Sequence, residues 1–311
     1  MGFVAAVIPN WNGAQRLRKL LPSLSGLGSV IVVDNHSSDD SAAAVHESEA
    51  RWIPLDANYG FAKAVNTGIL AAPPEARWIA ILNNDIALEP GFFENLLQAQ
   101  ADFAAPRLLS AANPGIIDGA FDLPAASGAA YRAGAGRPAN DPQFATPREI
   151  YSAPMTASLF RRDLFDDIGL LDESFGSYLE DVDFGIRCAL AGRRGCYVPT
   201  AVAYHEGSAT LGGSWSAGST RLISRNQLLI SRKYGAKLWP ALWGQALWGL
   251  LAVRHGVGLP WLRGKLEGAH IPVQSICRQN WRKVVLDSEK EIRELQTDWY
   301  WRQYFRGIGK S

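Results

Sequence analysis

Over the first hundred residues, short apolar runs alternate with helical stretches, and this alternation limits the fold more than any other feature of the chain. The apolar runs cover residues 3–8, 29–33, 52–55 and 78–82; the helical stretches lie near 14–25, 38–48, 60–71 and 90–100. Strands that are apolar almost throughout must be covered on both faces. The pattern therefore predicts an α/β fold with a mostly parallel central sheet and helices on either side. Such sheets bind ligands beyond the carboxyl ends of their strands. Here those ends are Pro9-Asn10-Trp11-Asn12, Asp34-Asn35-His36-Ser37-Ser38-Asp39 and Asn83-Asn84-Asp85. Three strand ends rich in Asn and Asp point to one crevice.

Beyond residue 110 the pattern loosens. Residues 111–150 are rich in Gly, Ala, Pro and Asn, and an irregular loop over the crevice is expected there. A strand is expected at 155–160, a short helix from Arg161, a helix over about 180–192, strands at 196–198 and 202–205, and a helix over 221–234. The Gly/Ser-rich stretch 207–219 reads as a second flexible lid.

Composition narrows the function classes. The chain has 311 residues, 47% of them hydrophobic, enough for one large domain with an extension. Its net charge of +1 hides an asymmetry: residues 1–231 carry 17 Lys+Arg against 24 Asp+Glu, and residues 232–311 carry 14 against 6. An acidic body argues against nucleic-acid binding. The three cysteines, Cys188, Cys196 and Cys277, have no metal-like spacing and suit a reducing compartment, so a cytoplasmic location is expected. The N-terminal residues lack the basic start and long apolar core of a signal peptide, and no apolar run reaches the roughly 20 residues of a spanning helix.

Several residue sets are candidates for chemistry. Asp85, at a strand's carboxyl end, can hold a divalent cation on a phosphorylated ligand, since Mg²⁺ and Mn²⁺ take few oxygens from protein; the alternative is an Asx turn. Asp34 can accept from a nucleobase or ribose, or belong to a turn that caps the next helix. Glu180 and Asp181 open a helix, where the dipole should keep Asp181 ionised as a general base requires. A single positioned carboxylate suits direct displacement at a sugar carbon. His205 ends a β-like run just before the Gly/Ser-rich stretch. The helix after Asn58 offers backbone amides and Lys63 to a diphosphate, and Arg225 can serve the same anion. No G-x-G-x-x-G or Gly-rich basic loop follows the first strand, which argues against a dinucleotide oxidoreductase and against a nucleotidyltransferase.

In order, Val-Ile-Pro-Asn-Trp-Asn-Gly at 7–13, Val-Asp-Asn-His-Ser-Ser-Asp at 33–39, Asn-Tyr-Gly-Phe-Ala at 58–62, Leu-Asn-Asn-Asp at 82–85, Tyr-Leu-Glu-Asp-Val-Asp-Phe at 178–184, His205 and Arg225-Asn226 resemble family 2 inverting glycosyltransferases, above all the bacterial rhamnosyltransferase-like branch. The likeness covers roughly residues 3–235. It implies a GT-A fold, a nucleotide-diphosphate sugar donor (dTDP-rhamnose or a UDP-sugar), a divalent cation (Mn²⁺ or Mg²⁺), and a glycan or lipid-linked acceptor. By this resemblance Asp34 recognises the base, Asp85 is the last metal-binding Asp of the D-x-D motif, Asp181 is the catalytic base of the Glu180–Asp181 pair, and His205 is a second metal ligand. Pro9, Asn10, Asn58, Lys63, Asn83, Asn84 and Arg225 line the donor. Asn83 stands where the strict motif has its first Asp and leaves one carboxylate there. That departure keeps a second reading open, a non-catalytic carbohydrate- or lipid-binding protein on the same fold.

The implied organisation is a catalytic domain over 1–235, with a nucleotide-binding half at 1–110 and an acceptor half at 151–235, then a helical, Trp-rich basic extension over 236–311. Seven of eleven tryptophans lie beyond residue 231, and residues 238–253 carry no charge. Trp, Leu and flanking Lys/Arg over 238–265 suit contact with the inner face of a membrane; the competing expectation is a helix packed on the catalytic domain.

Overall fold

A computed structural model of the chain describes residues 3–207, 215–274 and 278–309. The predicted alternation is present as β1 (Val4–Asn10), α1 (Ala14–Leu20), β2 (Ser29–Asp34), α2 (Ser41–His46), β3 (Arg51–Pro54), α3 (Phe61–Ala71) and β4 (Trp78–Leu82). Strands β3, β2, β1 and β4 lie side by side and parallel, with Asn10 level with Asp34. Side chains of β1 alternate between two apolar layers: Ala5 and Val7 face the side covered by α3, and Val4, Ala6 and Ile8 face the side covered by α1 and α2. Proline in a central strand costs a ladder bond. Pro9 escapes this cost because β1 pairs with β4 only from Val4 to Val7, whereas pairing with β2 runs on to Asn10. The peptide of Pro9 faces the β4 side, where the strands have begun to part and the crevice opens.

The second half of the sheet is mixed. In chain order come β5 (Ile86–Leu88), α4 (Phe92–Leu97), β6 (Phe103–Ser110), β7 (Ile117–Gly119), β8 (Phe121–Pro124), β9 (Ala130–Ala133), β10 (Arg148–Ile150), β11 (Ala157–Arg161), α5 (Asp163–Asp167), α6 (Glu180–Leu190), β12 (Gly195–His205) and α7 (Ala217–Tyr234). The main path runs β10-β12-β6-β11-β4-β1-β2-β3, with β11 antiparallel to both neighbours. The two strands expected at 196–198 and 202–205 are one strand, β12, whose register shifts between Val198 and Val202.

The expected irregular loop at 111–150 is corrected. That segment holds β7, the β8–β9 hairpin and β10, and it buries Phe121, Leu123, Ala133 and Phe144 in the main core. Its strands of three or four residues are too short to show a period, and small residues such as Ala120, Ala125 and Ala129 fill a core layer where composition suggested a loop. Of the lid expected at 207–219, residues 208–214 lie outside the described residues.

Four helices follow: α8 (Leu238–Arg254), α9 (Gly258–His270), α10 (Arg278–Leu295) and α11 (Trp299–Ile308). They dock on the β8–β9 hairpin. Ser288 donates to the carbonyl of Pro124, Tyr131 donates to that of Leu295, and Tyr300, Trp301 and Tyr304 join the core. Helix α9 lies close on α7 because Gly264 and Gly268 face its backbone. A Cβ at Gly264 would come 2.1 Å from the Arg221 carbonyl oxygen.

Since Phe121 is fully buried between β9, Phe144 and Tyr197, Phe121→Ala should lower unfolding free energy by about 3–5 kcal/mol. Urea denaturation measures this, and an unchanged midpoint would remove 111–150 from the core.

Candidate active site

A buried hydrogen-bonded line joins the carboxyl ends of β4, β1 and β2. Asn84 Nδ2 donates to Asn10 Oδ1 (2.7 Å), and Asn10 Nδ2 donates to Asp34 Oδ1 (2.8 Å). Ser37 closes the end by donating its amide to Asp34 Oδ2 (2.8 Å) and its hydroxyl to Oδ1. Gly13 gives this line room, since a Cβ there would fall 2.2 Å from Asn84 Nδ2. Asp39, read from sequence as a cap, accepts from the Ala14 amide and so ties the start of α1 to the β2 loop.

Asp85 and His205 meet at the other end of the line. His205 is the last residue of β12 and pairs with Ile86 of β5, so one backbone register brings the two side chains together. His205 Nε2 lies 3.3 Å from Asp85 Oδ1, and its Nδ1 lies 2.9 Å from Asp118 Oδ2. Burial disfavours the charged ring, but its hydrogen bond to Asp118 and the negative charge of Asp85 outweigh it and push His205 up to about 9. Asp118 falls below the usual carboxylate range because its bond to His205 and the nearby Arg132 outweigh its burial. Asp118 pairs onward with Arg132 (3.8 Å), and Arg132 with Asp122 (3.7 Å). Burial pushes Asp122 up to about 7, against the pull of Arg132.

Among the described residues, no group of three His, Cys, Asp or Glu side chains stands ready to hold a metal ion. Asp85 Oδ1 is nonetheless buried without a hydrogen bond and faces an imidazole nitrogen. One carboxylate and one imidazole fit a Mn²⁺ or Mg²⁺ whose remaining ligands come from a diphosphate and water.

Glu180 and Asp181 open α6 beneath a strained turn. Tyr178 and Leu179 both have left-handed backbone (φ 72° and 66°), a conformation that costs energy in residues with a Cβ. Asn226, fully buried on α7, holds the turn: its Nδ2 donates to the carbonyls of Phe175 (2.9 Å), Ser177 (2.8 Å) and Tyr178 (2.6 Å). The Asp181 carboxylate accepts from the Val182 amide (2.8 Å), and the Asn83 amide donates to the Thr156 carbonyl (2.7 Å), one residue beyond Met155, whose amide helps to lower the Asp181 pKa.

Burial raises the pKa of Asp181, and the charge of Arg132 with nearby backbone amides only partly offsets this. Glu180 rises well above the carboxylate range through burial and its charged neighbour Asp181.

Three predicted donor-binding groups are engaged elsewhere. Lys63 pairs with Glu173 (3.4 Å), and the first amides of α3 are already bonded: Phe61 to Ser177 Oγ and Ala62 to the Gly176 carbonyl. Asn58 accepts from the Gly60 amide in a local turn. Arg225 donates to the Phe175 carbonyl and to Asn226, bracing the same turn as Asn226. The residues that sequence reasoning passed over are Asp118, Asp122 and Arg132; Asn226 is named there beside Arg225, but not as the brace of this turn. Asp118 and Asp122 are the only acids between Asp102 and Asp141, an isolated pair in a Gly/Ala-rich stretch that was the available signal.

A sheet of this topology with an acidic crevice at its strand ends defines a GT-A-type sugar-nucleotide fold. Two solved structures share it at the level of fold. GalNAc-T7 with UDP, GalNAc and Mn²⁺ matches with TM-score 0.60 and 13% identity over 98% of this chain and 56% of that one. Mannosyltransferase PcManGT from Pyrobaculum calidifontis, in complex with GDP-Man and Mn²⁺, matches with TM-score 0.50 and 14% identity over 98% and 79%. Residues 5–169, more than half of the chain, match glycosyl transferase family 2, and the chain belongs to that family. A pre-mycofactocin glycosyltransferase of Mycobacterium tuberculosis (strain CDC 1551 / Oshkosh) is 32% identical over 212 residues, 65% of this chain and 42% of that protein. This chain thus spans about two-fifths of that relative's length. An N-acetylglucosaminyl-diphospho-decaprenol L-rhamnosyltransferase of the same organism is 28% identical over 204 residues, 57% of this chain and 66% of that protein.

Asn226→Ala would leave the Ser177 and Tyr178 carbonyls of a strained turn without their Asn226 donor, and the Phe175 carbonyl with Arg225 alone, and should cost about 1–3 kcal/mol. Chemical denaturation reads this, and equal midpoints would mean that the turn holds itself.

Proposed function

We propose that the chain transfers a sugar from a nucleotide-diphosphate sugar to a hydroxyl of a glycan or lipid-linked acceptor, inverting the anomeric centre. The observation that carries this reading is the meeting of Asp85 and His205 at the strand ends, linked through Asp118 to Arg132, whose charge also acts on Asp181. Asp181 takes the acceptor hydroxyl's proton as that oxygen attacks the anomeric carbon. The carbon–oxygen bond forms on the face opposite the diphosphate while the bond to the leaving phosphate oxygen breaks. Glu180, kept neutral by burial, adds no second negative charge beside the base. The Asn84–Asn10–Asp34 line lies where the nucleoside would seat, with Asp34 its terminal acid. A Mn²⁺ or Mg²⁺ held by Asp85 and His205 would offset the charge left on the departing diphosphate. The name of the rhamnosyltransferase relative favours a rhamnosyl donor and a lipid-diphosphate-linked acceptor.

A lipid-linked acceptor gives the C-terminal helices a use. No helix among the described residues is long and apolar enough to cross a membrane. Yet of twelve large hydrophobic side chains exposed among the described residues, eight lie on α8 and α9. Leu238, Trp239, Leu242, Leu250 and Val253 lie on α8, and Leu259, Leu262 and Leu266 on α9. Residues 236–274 carry four Lys/Arg and one acid. With Lys265 turned inward to the Ser224 carbonyl, an exposed apolar surface flanked by Lys237, Arg254 and Arg263 suits an anionic lipid surface at the cytoplasmic side of a membrane.

Asp181→Asn should reduce kcat by several orders of magnitude while donor affinity, read by calorimetry with UDP- and dTDP-sugars and Mn²⁺, stays within a few-fold; near-normal turnover would remove Asp181 as the base. The wild-type acidic limb of kcat/KM should lie above the ordinary carboxylate range, near 4, because the Asp181 pKa is raised and the base acts only when ionised. Replacing Leu259, Leu262 and Leu266 together by Asp should weaken co-sedimentation with phosphatidylglycerol vesicles about tenfold or more. Equal sedimentation would dispose of the membrane contact.

A further inference from the structure

An imidazole presents a metal with one nitrogen, and the hydrogen bond made by the other decides which one. His205 has its Nε2 turned to Asp85 Oδ1 (3.3 Å) and its Nδ1 to Asp118 Oδ2 (2.9 Å). The ring therefore stands between the two carboxylates, and Asp118 acts on the Asp85 corner only through the imidazole. The backbone aims Asp118 there by a break in register. Strand β7 pairs Ile117 with Leu109 and Gly119 with Leu108, so Asp118 is the extra residue of a bulge. Bulges of this kind re-aim side chains beside active sites. A second contact fixes the carboxylate from behind. Arg132 Nη1 lies 3.8 Å from Asp118 Oδ2, and the Arg132 stem lies across Gly119, where a Cβ would come 2.8 Å from its Cδ.

We propose that Asp118 is the positioning residue of His205: it accepts the hydrogen bond from Nδ1–H and so keeps Nε2 turned toward the cation shared with Asp85, whose binding displaces the Nε2 proton to solvent. The proposal rests on the cation role given above to Asp85 and His205. It adds a residue from the segment expected to be a loop and assigns Arg132 the task of holding that residue in place.

The test is Mn²⁺ binding to the full chain in the presence of UDP, and separately of dTDP, followed by the electron paramagnetic resonance signal of free Mn²⁺. Asp118→Ala should bind Mn²⁺ about 10- to 100-fold more weakly than wild type. Asp118→Asn, whose amide oxygen still accepts from Nδ1–H, should fall between them and keeps the comparison available if the alanine variant fails to fold. In a His205→Ala background, Asp118→Ala should add no more than about a twofold loss, since its effect passes through the ring. Melting without metal reports any general damage. Wild-type affinity in Asp118→Ala, or a full loss that persists without His205, overturns the proposal and leaves the cation reading intact. A wild-type chain that binds no Mn²⁺ with either nucleotide overturns the cation reading, and this proposal with it.

Discussion

The crevice depends on the register between β1 and β2. Asn10 sits level with Asp34 and is the only link in the polar line between Asn84 and Asp34, accepting from one and donating to the other. A slip of one residue would turn Asn10 to the opposite face of the sheet and place an apolar neighbour among these polar groups. Two flanking features protect the arrangement. Pro9 ends β1 on its β4 side without wasting a ladder donor, and Gly13 leaves the line the space that any side chain would take. Sheet geometry, more than any one loop, brings the Asn/Asp-rich ends together.

Electrostatics set a second constraint. Asp85, Asp118, Asp122, Glu180 and Asp181 gather around His205 and Arg132, with Arg225 acting on Glu180. Three carboxylate oxygens there, on Asp85, Asp122 and Glu180, are buried without a hydrogen bond. A buried oxygen of this kind is tolerated only if its group is neutral or a cation comes to it. Glu180 and Asp122 follow the first route, with pKa values pushed upward by burial. Asp85, facing an imidazole across 3.3 Å, is arranged for the second. An anionic diphosphate entering such a site meets repulsion unless positive charge accompanies it. The surplus of acid thus argues for a cation-assisted donor more strongly than any single residue does.

The parts of this fold that could be read from sequence are those with long enough period or strong enough type. Strands β1–β4 were legible because each is an apolar run bounded by turn residues; the bounds of β4 match residue for residue. The acidic start of α6 and His205 were legible as types at strand and helix ends. The 111–150 segment was not, since three-residue strands carry no period and its alanines read as loop while packing as core. Asp118, Asp122 and Arg132 fell out of view with it. Lys63 and Arg225 were legible as cations but not by partner. Which acid or carbonyl a long basic side chain reaches depends on tertiary contacts, here Glu173 and Phe175.

The C-terminal helices meet the expectation of packing on the body, and their outer face bears on the proposed membrane contact. Helix α8 buries Gly244, Leu247, Gly249 and Ala252, and α9 buries Gly264 and Gly268; these are mostly small residues that allow close helix contact and contribute little apolar area. The larger apolar residues Leu238, Trp239, Leu242, Leu250, Leu259 and Leu266 point outward, each more than half exposed. A helix pair stabilised only by its own packing would be expected to reverse that distribution, because a buried leucine contributes about 1.5–3 kcal/mol that an exposed one forgoes. The pair is thus anchored to the body by close backbone contact through glycine, and its hydrophobic face is left for something outside the chain. Its excess of Lys and Arg over acid makes an anionic surface the better match for that face than an acceptor sugar, which presents hydroxyls.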